Sequence, residues 1–245
     1  MTTPELDALT EQGFLNSVLA KLLHAAVRAR LNLIVTGPSG SGRTSLLRAL
    51  GCTVPGSERI ATLEMVPQLH LSRSGRAVVE LTGPTAVAMM PTVMSQNIHR
   101  LLVDDTADDT ALPLIQEMHG GGSGSMGTVE AADPATGIER LTGWTAATFT
   151  SPAPAVRLVH TAVDLIVHLT RVNTPAGVRR FVSHLHEVDC QAAVGQTGVL
   201  RPLFTPVPGQ PRAVFQNLPA CIDRLERHGF DRAVLIDASR TWGPQ

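Results

Sequence analysis

The chain has 245 residues, a length typical of one sizeable domain with small appendages, and its formal net charge is −1. A charge so close to neutral gives no general attraction to nucleic acid or to an anionic membrane. Aromatic residues make up 3% of the chain and tyrosine is absent, which argues against a surface on which bases stack. We therefore expect no nucleic-acid partner.

The N-terminal part of the sequence predicts a helix but no targeting signal. Apolar residues recur at helical spacing over residues 11–29, which predicts one amphipathic helix there. The first residues lack the basic-then-apolar layout of a signal peptide. The most apolar long stretch, residues 77–94, is interrupted by a glutamate, a glycine and two prolines, so we expect no membrane span. A cytoplasmic protein with reduced thiols is also indicated by three widely spaced cysteines, Cys52, Cys190 and Cys221.

A glycine-rich loop at residues 37–44 is the most informative motif. It follows a strand-like apolar run at residues 31–36 and leads into a helix-like run at residues 45–50, the context of a phosphate-binding P-loop. Glycines let the loop N–H groups face inward on a phosphate, and the helix N-terminus adds free N–H groups and its positive dipole end. The predicted binding residues are Gly37, Ser39, Gly40, Ser41, Gly42, Arg43, Thr44 and Ser45.

Two residues of this loop bear on the chemistry of the site. Thr44 stands where the motif has its magnesium-binding hydroxyl, and Arg43 stands where the motif has lysine. Arginine carries a wide planar fork that binds phosphate oxygens but fits less easily inside the loop than the compact lysine ammonium. The loop therefore predicts binding of ATP or ADP with Mg²⁺ and leaves hydrolysis open.

Beyond the loop, strand-like and helix-like segments alternate, which predicts an α/β fold with a mostly parallel sheet and helical cover. The predicted strands lie at residues 58–64, 69–71, 77–81, 100–105, 126–130, 164–169, 179–188 and 195–201. The predicted helices lie at residues 111–119, 134–144, 155–164 and 217–228. Residues 85–97, rich in methionine and interrupted by Pro91, fit no single element.

The same pattern predicts how the chain is organised. We expect a helical lead-in at residues 1–29, a nucleotide-binding core at 30–170, C-terminal strands and a helix of the same domain at 171–238, and a frayed tail at 239–245.

Carboxylates follow two of the predicted strands. A P-loop enzyme needs an acid at the end of a neighbouring strand to hold magnesium, and a base to orient the attacking water. Asp104 and Asp105, after an apolar strand, fit the magnesium role, and Glu64, at the end of the strand after the P-loop helix, fits the base. For the aspartate pair, a solvated turn that caps a helix is an equally good interpretation.

Two further groups are open to a functional interpretation. His184 and His186 lie on one face of a predicted strand, as metal ligands can, but no third ligand is evident nearby and a polar strand surface is favoured. Four arginines could contact the nucleotide of a neighbouring subunit, but an ordinary surface role is favoured for them. They are Arg171, Arg179, Arg180 and Arg201.

Taken in order, these motifs resemble the C-terminal ATPase domain of CpaF-type secretion ATPases, in the type II/type IV secretion superfamily. The resemblance runs from about residue 15 to residue 231 and is carried by residues 24–44, 58–64, 100–103, 124–129, 163–169, 180–188 and 198–202. It implies a RecA-like P-loop domain with a small C-terminal extension, ATP and Mg²⁺ as cofactors, and a role in secretion or pilus assembly.

Several polar positions depart from that family's pattern. The P-loop lysine is replaced by Arg43, and two acids of the aspartate box are replaced by Met65 and Gln68. The Gly-Glu end of Walker B is replaced by Asp104 and Asp105, and the two histidines of the histidine box by Gly122 and Glu130. The resemblance implies Glu64 as general base. It also implies a catalytic position for Asp105, which is one methylene shorter than the family's glutamate. A misplacement of about 1 Å costs on the order of a hundredfold in rate, so we expect weak hydrolysis.

Three functions stay open: a secretion ATPase, a nucleotide-binding pseudo-ATPase with a regulatory or structural role, and an interaction module without nucleotide. The family's N-terminal domain has no counterpart in the sequence. We therefore expect the nucleotide site to be covered by another subunit. That subunit belongs either to a homo-oligomer, such as a hexameric ring, or to a hetero-assembly with a secretion ATPase or another secretion component. The methionines of residues 87–94 suit either a partner surface or the core. Such partners would hold a cytoplasmic protein at the inner face of the membrane.

Overall fold

The computed structural model describes residues 2–74, 77–120, 124–175, 177–189 and 200–236. Four features of the sequence interpretation lie outside these residues: Gly122, Cys190, most of the strand predicted at residues 195–201, and the tail at residues 239–245.

The N-terminal segment forms two helices, α1 (Pro4–Glu11) and α2 (Ser17–Arg28). The prediction of one helix over residues 11–29 is therefore wrong at its start. The backbone turns at Gly13, whose φ of 70° suits glycine. The Asn16 side chain then accepts a hydrogen bond of 2.7 Å from the Leu19 N–H and caps the N-terminus of α2.

The described strands form one nine-stranded sheet, in the order β3-β2-β4-β5-β1-β6-β7-β8-β9. Their bounds are β1 Leu33–Gly37, β2 Ile60–Glu64, β3 Val78–Thr82, β4 Arg100–Val103, β5 Met126–Glu130, β6 Leu165–Thr174, β7 Gly177–Val188, β8 Leu200–Val207 and β9 Gln210–Phe215. The pairings from β3 to β6 are parallel and those from β6 to β9 antiparallel. The predicted mostly parallel α/β sheet is confirmed.

Helices cover both faces of the sheet. The remaining helices are α3 Arg43–Thr53, α4 Ala86–Met94, α5 Asp108–His119, α6 Pro134–Ala146, α7 Pro152–Ala162, α8 Ile222–Glu226 and α9 Ala233–Ile236. Side chains of a strand alternate between faces, so Leu33 and Val35 of β1 pack with α1–α3 while Ile34 packs with α4–α7. None of the helices within the described residues has the length and apolar character needed to cross a membrane.

Three other predicted elements differ from the structure. The strand predicted at residues 69–71 is absent, because Leu69 and Leu71 bury their side chains from an irregular segment and a short 3₁₀ turn, Leu71–Ser74. The helix predicted at residues 155–164 is α7, which ends at Ala162.

The helix predicted at residues 217–228 is shortened to the five residues of α8, since the chain before it contains Pro219, which lacks an N–H donor. Strand β9 was not predicted. The ambiguous residues 85–97 form α4, with Pro91 inside the helix.

A buried ion network joins the amino ends of the central strands. Arg100, at the start of β4, is 0% exposed. Its Nε and Nη2 donate to the Glu58 carboxylate at 2.6 and 3.1 Å, and its Nη1 donates to the carbonyls of Val27 and Gly124 at 3.0 and 3.1 Å. Burial alone raises the pKa of the Glu58 carboxyl group. The hydrogen bond and the charge of Arg100 lower it by more than burial raises it, so the pKa of Glu58 lies below its ordinary value. The network therefore holds α2, β4 and the lead-ins to β2 and β5 together.

We expect Arg100→Ala to lower the free energy of unfolding by about 3–5 kcal/mol, because it leaves the Glu58 carboxylate without its main partner. The matched control is Arg232→Ala, which removes an arginine that is 48% exposed and paired with Asp223 and Glu226. An exposed pair is screened by water and contributes much less than a buried one, so this variant should lose little stability. Urea unfolding of both variants measures the difference, and equal losses would contradict a structural role for the buried network.

Candidate functional site

The glycine-rich loop connects β1 to α3 at the carboxyl edge of the sheet, as predicted. Gly42 is the N-cap of α3 with a φ of 96°, a conformation that L side chains rarely adopt. A Cβ at Gly42 would lie 2.7 Å from the Phe14 ring, and one at Gly37 would lie 2.5 Å from Ser41 Oγ. Both positions therefore require glycine. Ser41 is fully buried, and its hydroxyl has no hydrogen-bond partner among the described residues.

A cavity of about 1110 Å³ opens over this loop. Loop residues 39–45 form its floor, and its walls come from the connection between α1 and α2, from residues 178–181 of β7 and from Arg212 of β9. The α1–α2 connection is fixed in place because the Val182 N–H donates to the Phe14 carbonyl at 2.9 Å. The chain therefore covers part of its own loop, a feature that the sequence did not predict.

Asp104 joins the loop to the end of β4. Its carboxylate accepts hydrogen bonds of 2.8 Å from the hydroxyls of Thr44 and Thr128, one on each oxygen, and it is 7% exposed. The Asp105 N–H donates to Thr128 Oγ1 at 2.7 Å. Two of the predicted metal-binding residues, Thr44 and Asp104, are thus in direct contact. Thr128, which fixes the carboxylate from the neighbouring strand β5, was missed.

Arg43 is folded back against its own loop. Its Nη1 donates to the carbonyls of Gly37 and Pro38 at 2.6 and 2.9 Å. Its Nη2 lies 3.4 Å from the carboxylate of Asp105 and 3.3 Å from that of Glu130. Both terminal nitrogens of the guanidinium therefore have partners, and its side chain is only 12% exposed.

Asp105 differs from its neighbour Asp104 in both backbone and exposure. Its φ is 58°, in the left-handed region that aspartate enters more easily than most residues, and its side chain is 72% exposed. The carboxylate contacts Arg43, not Thr44. The two predicted magnesium carboxylates thus have separate partners.

Glu64 ends β2 and is 3% exposed. Its Oε2 accepts hydrogen bonds from the backbone N–H groups of Gln68 and Leu69 at 2.7 and 2.9 Å, so it caps the turn that follows its strand. Its Oε1 is buried and has no partner among the described residues. One carboxylate oxygen is therefore fixed, while the other is buried, and Glu64 is not among the residues that line the cavity.

The arginines of the β6–β7 hairpin contact this chain's own loop. The Nε of Arg180 donates to the Gly40 carbonyl at 2.6 Å, and a Cβ at Gly40 would lie 3.5 Å from Nη1 of Arg171. Arg179 lines the cavity, whereas Arg201 pairs with the Glu187 carboxylate at 3.5 Å, on strands away from the loop. These contacts depend on strand pairing between distant segments, which the sequence pattern does not specify.

The two predicted strand histidines belong to a row of three. The ring centroids of His168 and His184 are 5.7 Å apart, and those of His184 and His186 are 5.6 Å apart. Burial lowers the pKa of His168 and of His186 to about 4, and the neighbouring His184 acts in the same direction. His168 Nδ1 also lies 2.9 Å from the hydroxyl of Thr36, the residue before the loop. Within the described ranges, no three metal-ligating side chains are arranged to hold a metal ion.

Comparison with known proteins identifies the family. The family described as "Type II/IV secretion system protein" matches residues 2–201, well over half of the chain. The chain belongs to this family. The VirB11 protein of Rhizobium radiobacter is 27% identical over 170 residues, which is 64% of this chain and 49% of that protein. This member of the type II/IV secretion family thus spans about half the length of the curated relatives it matches.

Solved structures of the same class share the fold. The VirB11 ATPase of the Brucella suis type IV secretion system, solved in complex with sulphate, is 27% identical, with a TM-score of 0.61 over 76% of this chain and 56% of that one. The Legionella pneumophila ATPase DotB is 14% identical, with a TM-score of 0.56 over 79% of this chain and 53% of its own, and shows the fold alone. The predicted RecA-like ATPase fold is confirmed.

The row of histidines predicts a loss of stability in acid. A histidine whose pKa is lowered by folding stabilises the protein above its unfolded pKa, near 6.5, and loses that contribution as the pH falls towards the folded pKa, about 4 for His186. When the pH is lowered from about 7 to about 5, both proteins should lose unfolding free energy. We expect the loss in His186→Gln to be smaller than the loss in the parent by about 1–2 kcal/mol.

His186 suits this test because its Nδ1 has no hydrogen-bond partner among the described residues. The control is His228→Gln, at an exposed histidine of the C-terminal segment, which should lose stability with pH as the parent does. Urea unfolding at both pH values measures the effect. Parallel pH profiles for the parent and His186→Gln would contradict it.

Proposed function

We propose that this chain is a nucleotide-binding subunit of a type II/IV secretion machine that binds ATP or ADP with Mg²⁺ and hydrolyses ATP slowly. Membership of a family of secretion ATPases supports the nucleotide. The observation that carries the proposal is the 2.8 Å hydrogen bond between the Thr44 hydroxyl and the Asp104 carboxylate. It joins the loop to a strand-end acid, as a site for a metal-bound phosphate requires.

The loop fits a phosphate chain. Glycine at residues 37, 40 and 42 keeps side chains away from the inner surface, and a Cβ at the first or last of these would clash with neighbouring atoms. The N-terminus of α3 contributes N–H groups and a positive dipole. The Ser41 hydroxyl, buried without a partner among the described residues, is a donor that an anion can satisfy. The proposed phosphate-binding residues are Gly37, Ser39, Gly40, Ser41, Gly42, Arg43, Thr44 and Ser45.

The donor set also fits magnesium. Hydroxyl and carboxylate oxygens are the ligands that Mg²⁺ takes in proteins, directly or through water. Thr44 and Asp104 would hold the ion, and Asp105, the other predicted metal ligand, would join them only on leaving its contact with Arg43. When bound, the ion neutralises charge on the phosphate oxygens. Thr128 keeps the Asp104 carboxylate oriented towards the loop.

Glu64 is the proposed general base. Two backbone N–H groups hold its Oε2, which fixes the side chain, and its buried Oε1 is then able to accept a hydrogen bond from the attacking water. Asp105, at the position of the family's Walker B glutamate, is the second proposed catalytic carboxylate. Its contact with Arg43 directs it away from the pair formed by Thr44 and Asp104.

Slow hydrolysis follows from the position of Arg43. The two terminal nitrogens of its guanidinium contact the loop carbonyls and two carboxylates, so its charge is already neutralised. A charge held in this way is poorly placed to follow the phosphates into the transition state. The same observation favours the alternative of a pseudo-ATPase that binds nucleotide for a regulatory or structural purpose.

We also propose that the chain works in an assembly, as a ring such as a hexamer or beside another secretion component, at the inner face of the membrane. The resemblance in the sequence favours a CpaF-type system, whereas the similar curated proteins include VirB11 proteins of type IV secretion. Helix α4 offers a partner surface, since Met90 and Val93 pack into the core while Met89 is 54% exposed.

Removal of the Thr44 hydroxyl should weaken the magnesium dependence of nucleotide binding more than binding itself. For Thr44→Ala we expect the affinity gained on adding Mg²⁺ to fall by about tenfold or more, because Asp104 loses its partner on the loop. Calorimetric titration with ADP, with and without Mg²⁺, measures this gain. Thr44→Ser, which keeps the hydroxyl, is the control and should resemble the parent. If the parent binds no nucleotide at millimolar concentration, the proposed function is wrong.

Turnover of ATP by the purified chain should lie below about 0.1 per second, against about 10 per second for a typical enzyme. We expect Glu64→Gln to abolish the remaining activity, and Arg43→Lys to raise it by less than about tenfold, because residues that act as a unit are not additive. Steady-state phosphate release measures both. Turnover of several per second that disappears in Glu64→Gln would contradict the slow rate, since that loss excludes a contaminating ATPase.

A further inference from the structure

Two arginines of the β6–β7 hairpin are placed against one residue of the glycine loop. Arg171 and Arg180 are direct cross-strand partners in the antiparallel pairing of β6 with β7. The Nε of Arg180 donates to the Gly40 carbonyl at 2.6 Å, and Nη1 of Arg171 lies 3.5 Å from the position of a Cβ on Gly40. Two guanidinium groups from one sheet edge therefore meet at the centre of the loop.

This arrangement of two like charges favours a bound anion. Like charges directly opposite each other on paired strands destabilise a sheet. In the part of the chain that the structure describes, neither Arg171 nor Arg180 forms an ion pair with a carboxylate, and both are exposed. Arg179, Arg180 and Arg212 line the cavity, whereas Arg171 is not among its lining residues and lies beside them, against Gly40. The wall thus concentrates positive charge beside a loop built to hold phosphates.

The loop's own arginine cannot serve this purpose equally well. The terminal nitrogens of Arg43 are occupied by two backbone carbonyls and by the carboxylates of Asp105 and Glu130. Arg180 contacts the loop through Nε alone, so its two terminal nitrogens keep their donors for a ligand. Arg43 thus keeps only its Nε without a partner among the described residues, whereas both terminal nitrogens of Arg180 remain for a phosphate chain.

We infer that Arg171 and Arg180 form an arginine clamp that binds the phosphate chain of a nucleoside di- or triphosphate in the same subunit. The inference rests on the proposed nucleotide site and adds to it two positioning residues from the antiparallel half of the sheet. Guanidinium forks match phosphate oxygens with paired hydrogen bonds. The clamp supplies from the hairpin the positive charge that a P-loop takes from its lysine.

A structural role predicts different behaviour. If Arg180 only braces the loop through the Gly40 carbonyl, its removal affects every ligand alike, and removal of Arg171, which makes no hydrogen bond to Gly40, has no effect. A clamp makes both arginines matter, and its contribution grows with the number of phosphates on the ligand. The pair Arg171→Gln and Arg180→Gln, tested with ATP, ADP, AMP and pyrophosphate, separates the two roles.

The test is calorimetric titration of the full chain at low ionic strength, with Mg²⁺ present. We expect Arg171→Gln and Arg180→Gln each to weaken binding of ATP and of pyrophosphate by about tenfold, and to leave binding of AMP within about twofold of the parent. The salt dependence of ATP binding should also decrease in both variants. The matched control is Arg201→Gln, at an exposed arginine paired with Glu187 outside the cavity, which should bind all four ligands as the parent does.

Thermal unfolding of each variant checks that the fold is kept, and Arg171→Gln carries the test if Arg180→Gln does not fold. Unchanged ATP affinity in the folded variants, or equal losses for ATP and AMP, would overturn the clamp while leaving the proposed nucleotide site intact. A parent chain that binds neither nucleotide nor pyrophosphate would overturn both.

Discussion

The Asp104 carboxylate is the contact on which the geometry of the site depends. One of its oxygens accepts from Thr44 on α3 and the other from Thr128 on β5, so a single buried group holds the loop helix, β4 and β5 in register with one another. Because the charge is nearly buried, its removal from water is compensated only while both hydroxyls are in place. The loop therefore has a fixed position relative to the sheet edge.

Three residues beside the glycine loop form an ion cluster. Arg43, Asp105 and Glu130 lie far apart in the sequence, yet the guanidinium of the first is within 3.4 Å of both carboxylates. The guanidinium on the loop is thus accompanied by two acids that lie within ion-pair distance of it. The three charges are best described as one cluster, because each member compensates the charge of another.

The sequence predicted the parts of the site that depend on local pattern. The glycine loop between an apolar strand and a helix predicted the candidate phosphate site, and the acids at the ends of β2 and β4 were predicted from the ends of apolar runs. Pairing between distant segments was not predictable in this way. Arg180 reaches Gly40 only because β7 pairs with β6, and Phe14 covers Gly42 only because its carbonyl accepts from Val182. The break at Gly13 was missed because the apolar residues at helical spacing begin at Leu15 and do not mark where the helix starts.

Strand β4 has four residues, and a charged side chain with hydrogen-bond partners lies at each of its two ends. Arg100 begins the strand inside the buried network with Glu58, and Asp104 follows it at the site, about 13 Å away at the usual rise of an extended chain. A slip of one residue along its neighbours would pull both charges away from their partners and turn Leu101 and Leu102 to the opposite faces. This strand therefore has only one workable alignment. It therefore sets a fixed distance between the two polar ends of the sheet.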